Sequence, residues 1–160
     1  MVSESFNHNR VVGNFVSKLG KALIYSQYEV FMSEIKVWIK EKQLFYPDII
    51  LVYGKLEFHS DRDDTITNPI IITENYDRVK KFRFYRSIPT FQEYILIDQY
   101  RGHIEHFYLE SKEKWIFTDY SNEKDILKFN KIDFQISLKD VYDRVEFKKE
   151  ERSESFRPSL

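Results

Sequence analysis

Two stretches, Tyr46-Pro47-Asp48-Ile49-Ile50-Leu51-Val52 and, after a polar loop, Pro69-Ile70-Ile71-Ile72-Thr73-Glu74, decide how this chain folds. Each is a short, β-branched apolar run with one carboxylate at its edge. Runs of this length, bounded by Pro, Gly, Asn and Asp, read as buried central strands, because a helix would need a longer periodic segment. Pairing the two strands brings Asp48 and Glu74 towards one another. Two carboxylates at adjacent strand ends suit Mg²⁺, which binds one or two carboxylates, keeps several waters and otherwise waits for substrate phosphate oxygens. That is nuclease-type chemistry. Spacing alone leaves a plainer assignment open, in which Asp48 interrupts the strand start after Pro47 and Glu74 begins the next helix.

Composition narrows the field. The chain of 160 residues fits one domain, expected over residues 1–147, and is long enough to bury a real core. With 11 Tyr and 14 Phe against 4 Gly and 4 Pro, it favours twisted sheet over a low-complexity chain. Cysteine is absent, which excludes a disulfide framework, a thiolate zinc site and a cysteine nucleophile. Formal net charge is −1, from 25 basic and 26 acidic residues, so any binding to nucleic acid must come from a local patch. No apolar run approaches the ~18 residues needed to span a bilayer, and Met1-Val2-Ser3-Glu4 lacks the features of a signal peptide. A soluble cytoplasmic protein is expected.

The first element runs from about His8 to Ile24. Val11, Val12, Phe15, Val16, Leu19 and Leu23 recur at helical spacing, with Asn7 as the N-cap. His8 stands at that start, either as a partly exposed histidine or as a proton-transfer or phosphate contact. Glu29 to Phe45 alternates with period two, as a strand with one wet face does, and Glu34 falls near its middle as a solvated glutamate or a third acid beside Asp48. Gly54 to Thr67 is a surface loop. Thr73 to Ser87 returns to helical spacing, with Tyr76, Val79, Phe82 and Tyr85 on one side and Arg78, Lys80, Lys81, Arg83 and Arg86 elsewhere. That basic cluster either contacts phosphates or complements the helix dipole, and Pro89 ends the helix.

Strands follow at Gln92 to Gln99, His103 to Leu109 and Lys114 to Asp119, then one or two short ones between Ile126 and Ile136. Ser137 caps a brief helix to about Val145. Past Phe147 the charged tail, residues 148–160, is expected to be disordered. The order of elements is α+β: a central mixed sheet covered by two long helices, with C-terminal antiparallel strands and a short helix.

Several short motifs, in order and in spacing, carry a resemblance. His8-Asn9-Arg10 with Val12-Gly13-Asn14, Ser33-Glu34-Ile35-Lys36-Val37, Tyr46-Pro47-Asp48, Asn68-Pro69, Tyr76-Asp77-Arg78 with Lys81-Phe82, Tyr85-Arg86-Ser87-Ile88-Pro89, Gln92 to Ile97, and Ile104-Glu105-His106 together resemble the Uma-two family of restriction-endonuclease-like proteins. The likeness runs from about His8 to Phe147. It implies a PD-(D/E)XK nuclease-like core and Mg²⁺-dependent phosphodiester hydrolysis with DNA as substrate. Asp48 matches the family's metal-binding Asp, Lys81 the lysine that orients or activates the attacking water, Glu34 a usually acidic position and His8 the recurrent His-Asn pair. Arg78, Lys80, Arg83 and Arg86 are the candidate phosphate contacts.

Two departures qualify the resemblance. Family members carry a Tyr-Glu-x-Ile-x-Gly-Glu hairpin before the His-Asn motif, and no such segment precedes His8 here. Their strand also continues from the catalytic Glu through several residues before Tyr-Asp-Arg, whereas Glu74 is followed at once by Asn75-Tyr76-Asp77-Arg78. A gap placed after Glu74 makes it the catalytic acid and, with Asp48, a metal ligand. A gap placed before Thr73 makes it the first-turn glutamate of a helix. Since a shift of about 1 Å at a metal site costs on the order of 100-fold, a weakened or inactive enzyme is expected. The alternative is a non-catalytic remnant that binds nucleic acid or a protein partner, a second copy of itself included.

Overall fold

The computed structural model describes residues 5–40, 43–75 and 81–147. Helix α1 (Phe6–Ala22) carries the expected stripe, with Val11, Phe15 and Leu19 buried. Its N-cap is Ser5, whose backbone is extended and whose hydroxyl accepts the His8 N–H at 3.0 Å. Asn7, the residue expected there, already lies in the first turn and does something else. Its side-chain amide donates to the Glu146 carbonyl at 2.7 Å and its oxygen accepts the Glu146 N–H at 3.2 Å. One face along, the Asn14 amide donates to the carbonyls of Val141 and Asp143, at 2.8 and 2.9 Å.

The two apolar runs are β4 (Ile49–Tyr53) and β6 (Pro69–Asn75), antiparallel neighbours inside a six-stranded sheet. Outside β4 lies β1 (Tyr28–Met32). Outside β6 come β7 (Glu93–Ile97), parallel to it, and then β8 (Ile104–Ser111) and β9 (Lys114–Tyr120), both antiparallel. The sheet is mixed, as expected. A smaller three-stranded sheet joins β2 (Lys36–Ile39) to β3 (Gln43–Phe45) and β5 (Thr65–Ile66). Two short strands, β10 (Ile126–Lys128) and β11 (Gln135–Ser137), lead into α3 (Leu138–Val141), where the Ser137 hydroxyl accepts the Asp140 N–H at 3.1 Å.

Both faces of the large sheet are covered, which is why Ile49 to Val52, Ile70 to Ile72 and Ile95 to Ile97 run apolar without alternation. One face, with Ile49, Leu51, Ile71, Ile95 and Ile97, packs under Phe15 and Leu19 of α1 and under Phe129, Ile132 and Phe134. The other, with Ile50, Val52, Ile72, Tyr94 and Leu96, packs on Val37 and Ile39 of the small sheet and on Tyr85, Ile88 and Phe91. No described helix is long and apolar enough to cross a membrane.

Two expectations are corrected. The alternating stretch from Glu29 to Phe45 belongs to β1, β2 and β3, not to one strand. The chain breaks at Glu34, which is exposed and left-handed with φ of 74°, so β2 departs for the small sheet. The second correction concerns the helices: α1 is the one long helix among the described residues. Thr73, Glu74 and Asn75 continue β6 in parallel register with Ile95, Leu96 and Ile97, so sheet pairing overrides the local helical spacing. Helical structure is found again at α2 (Phe82–Tyr85). Tyr76, Arg78, Val79 and Lys80 fall outside the described residues, as does the stretch 148–160.

Candidate active site

Alternation along β6 sends Thr73 and Asn75 towards α1 and Glu74 towards the opposite layer. Asp48 lies at the bend that opens β4, with its own carbonyl accepting the Ser33 N–H at 3.2 Å. Its carboxylate is engaged from the α1 side. Oδ2 accepts the Asn75 backbone N–H at 3.1 Å, and Oδ1 lies 3.2 Å from His8 Nε2. The other ring nitrogen of His8, Nδ1, is 2.8 Å from Asn75 Oδ1. Asp48, His8 and Asn75 thus close a ring of hydrogen bonds over the end of the sheet. His8 is 4% exposed, so the first turn of α1 contributes a buried group to the site, not a surface one.

Glu74 is 3% exposed. Its Oε1 accepts the hydroxyl of Tyr85, from α2, and its Oε2 accepts the hydroxyl of Tyr94, from β7, at 2.8 Å. Burial pushes the Glu74 carboxyl above the ordinary glutamate range, and the negative charge of Asp48 adds to that rise. The positive charge of Lys81 and the two tyrosine hydroxyls work the other way, by favouring the carboxylate. The Tyr85 phenol is itself pushed far up, first by burial and then by Glu74. Lys81 immediately precedes α2, and its ammonium sits 4.8 Å from the centre of the Phe45 ring.

Asp48, Glu74 and Lys81 therefore gather at one end of the sheet, close enough to act on one another electrostatically. Each carboxylate nevertheless has its own set of partners: the His8 imidazole of α1 and the Asn75 backbone amide of β6 for Asp48, tyrosines from the opposite layer for Glu74. The alternative in which Glu74 opens a helix does not describe this molecule, since Glu74 pairs with Leu96 inside β6. Of the remaining candidates, Glu34 stands on its exposed turn between β1 and β2. Arg83 and Arg86 are exposed on α2 and just after it, stacked over Phe84 and Phe82, each at 5.0 Å. Arg78 and Lys80 lie outside the described residues.

Three residues of the site, Asn75, Tyr85 and Tyr94, were not expected from the sequence. The signal available for the tyrosines was their position: a phenol placed among isoleucines and phenylalanines needs an acceptor. Asn75 carried no comparable sign.

A small pocket opens beside this ring, with His8, Val12, Asp48, Thr73 and Glu74 in its wall. Among the described residues, no three His, Cys, Asp or Glu side chains gather as a metal cluster. Asp48 and Glu74 offer carboxylate oxygens, which suit a hard cation that needs few protein ligands, and Thr73 Oγ1, in the pocket wall with Asp48, is buried without a hydrogen-bond partner.

Residues 1–139 match the model of the Uma2 family, whose description reads "Putative restriction endonuclease". The uncharacterized protein sll1609 of Synechocystis sp. is 34% identical over 134 residues, covering 79% of this chain and 76% of that one. A crystal structure from Anabaena variabilis, described as that of "a putative nuclease belonging to DUF820", superposes with a TM-score of 0.72 at 12% identity, covering 91% of this chain and 85% of that one. At that identity the likeness speaks for the fold.

Proposed function

The chain belongs to the Uma2 family, and from that membership we propose that it is a Mg²⁺-dependent nuclease that hydrolyses phosphodiester bonds in DNA at low turnover. The observation that carries this reading is the meeting, at one sheet end, of Asp48 and Glu74 with the charge of Lys81. Asp48 and Glu74 would hold the cation, which when bound supplies Lewis-acid polarisation of the phosphate and a more acidic water. Lys81 provides positive charge beside Glu74, where charge builds up on the phosphate. His8 and Asn75 fix the Asp48 carboxylate from the α1 side. Arg83 and Arg86, exposed on α2 and just after it, are cations that would contact the DNA backbone.

Low turnover follows from the same geometry. Both oxygens of Glu74 are engaged by tyrosines in a buried layer, and the carboxylate must share them with any cation. Misplacement by about 1 Å is enough to remove on the order of 100-fold in rate.

Plasmid nicking with and without Mg²⁺ tests the proposal. The wild type should convert supercoiled plasmid slowly in Mg²⁺, and Asp48→Ala should abolish the conversion. Equal conversion by both proteins, or none above buffer together with no stabilisation by Mg²⁺, sinks it. The enclosure of Glu74 also favours a second reading, in which this carboxylate is structural and the protein binds nucleic acid without cleaving it. DNA affinity would then survive Asp48→Ala while falling steeply with salt.

A further inference from the structure

Thr73 occupies a place in β6 where an aliphatic residue would be expected. It is 2% exposed, faces α1, and has Ile49 opposite it in β4 and Ile95 beside it in β7. Valine would fill nearly the same volume in this isoleucine-lined layer without adding a hydroxyl. Buried hydroxyls nearly always find a partner, and one that has none marks a missing group. Thr73 Oγ1 has none. Among the described residues it is the one such atom in the wall of the pocket that also contains Asp48 and His8. A water molecule placed there would meet a hydroxyl and a carboxylate, the polar company that a buried water requires.

We infer that Thr73 is a positioning residue whose hydroxyl holds a water molecule at the Asp48 carboxylate, within the hydration shell of the cation that Asp48 and Glu74 bind. The inference rests on the cation site proposed above and adds to it a group that touches neither the metal nor the phosphate. It also accounts for the placement of a threonine where packing alone would favour valine: the hydroxyl is satisfied when the site is filled.

Thermal unfolding of the full chain in increasing MgCl₂ tests this, using the wild type, Thr73→Val, Thr73→Ser and Asp48→Ala. Without Mg²⁺, Thr73→Val should melt at or above the wild type, because an unpartnered hydroxyl has been removed. Its Mg²⁺-dependent rise should have a midpoint roughly tenfold higher in concentration, the usual penalty for losing a group that orients a metal's immediate neighbours. Thr73→Ser should melt lower, having lost a buried methyl, yet keep the wild-type midpoint. A Thr73→Val midpoint equal to the wild type, or a Mg²⁺-free melting temperature as low as that of Thr73→Ser, overturns the assignment of Thr73 while leaving the cation site standing. No rise with Mg²⁺ in the wild type itself overturns the cation site and this inference together.

Discussion

Glu74 is unusual at the scale of a single residue because its two oxygens are each met by a phenol from a different element. Removing one phenol leaves a buried oxygen without its donor. Tyr94→Phe should therefore lose about 1–3 kcal/mol of stability, the range for orphaning a buried polar group, read as a lower midpoint in urea with unchanged slope. A change within about 0.3 kcal/mol would mean that the hydroxyl contributes little beyond solvent exchange. The sequence made Asp48 and Glu74 legible because a lone acid at the edge of an apolar run stands out. Their partners were not, since Tyr85 and Tyr94 lie 11 and 20 residues from Glu74, and Asn75 lies 67 residues from His8. Such pairs depend on which strands become neighbours, and local spacing carries no record of that.

Elements were legible where a single periodicity persisted. Helix α1, the strand pair β4 and β6, and the hairpin of β8 and β9 all lie near their expected positions. The failures share a cause: a change of sheet at Ser33-Glu34 without a glycine to mark it, and a strand extended by its parallel neighbour into residues with helical spacing. The small sheet also shows how one charged group can hold two elements. Asp64, just before β5, accepts from Lys36 Nζ of β2 at 2.8 Å, from Arg62 Nε at 3.1 Å and from the Thr65 hydroxyl at 2.8 Å. Hydrogen bonds from Arg62, then Lys36 and Thr65, hold its carboxyl well below the ordinary aspartate value of 3.8. A depressed carboxyl stabilises the fold above the unfolded-state pKa, and that contribution is lost as pH falls through the folded one. The stability advantage of the wild type over Asp64→Asn should thus be constant near neutrality and shrink below about pH 3.8, as followed by urea midpoints across pH. An advantage that grows with acid would contradict the sign.

At the scale of the whole molecule, Glu93, which is 0% exposed and lies in β7, joins separate parts of the chain. Its Oε2 is 2.5 Å from His106 Nε2 in β8 and accepts the Asn130 N–H at 2.7 Å, while Oε1 accepts the Lys131 N–H at 2.9 Å. The sheet is thereby fastened to the turn between β10 and β11, whose Phe129, Ile132 and Phe134 complete the layer beneath α1. Glu93→Ala would leave the buried His106 imidazole and the partly buried amides of Asn130 and Lys131 without their acceptor. A loss of about 3–5 kcal/mol is expected, seen as a lower unfolding midpoint or as insoluble protein. Fold class could be read in advance because apolar runs and turns set it. This fastening could not, because an acid in an apolar strand declares burial but not the backbone amides it will meet.

The grip of Asn7 and Asn14 on residues 141–146 has a temporal side. The Asn7 contacts close a span of 139 residues and those of Asn14 spans of 127 and 129. A ribosome making this polypeptide must therefore deliver Glu146 before the first helix can be anchored at its His8 end. The cation site proposed above should accordingly be among the last features that a nascent chain completes.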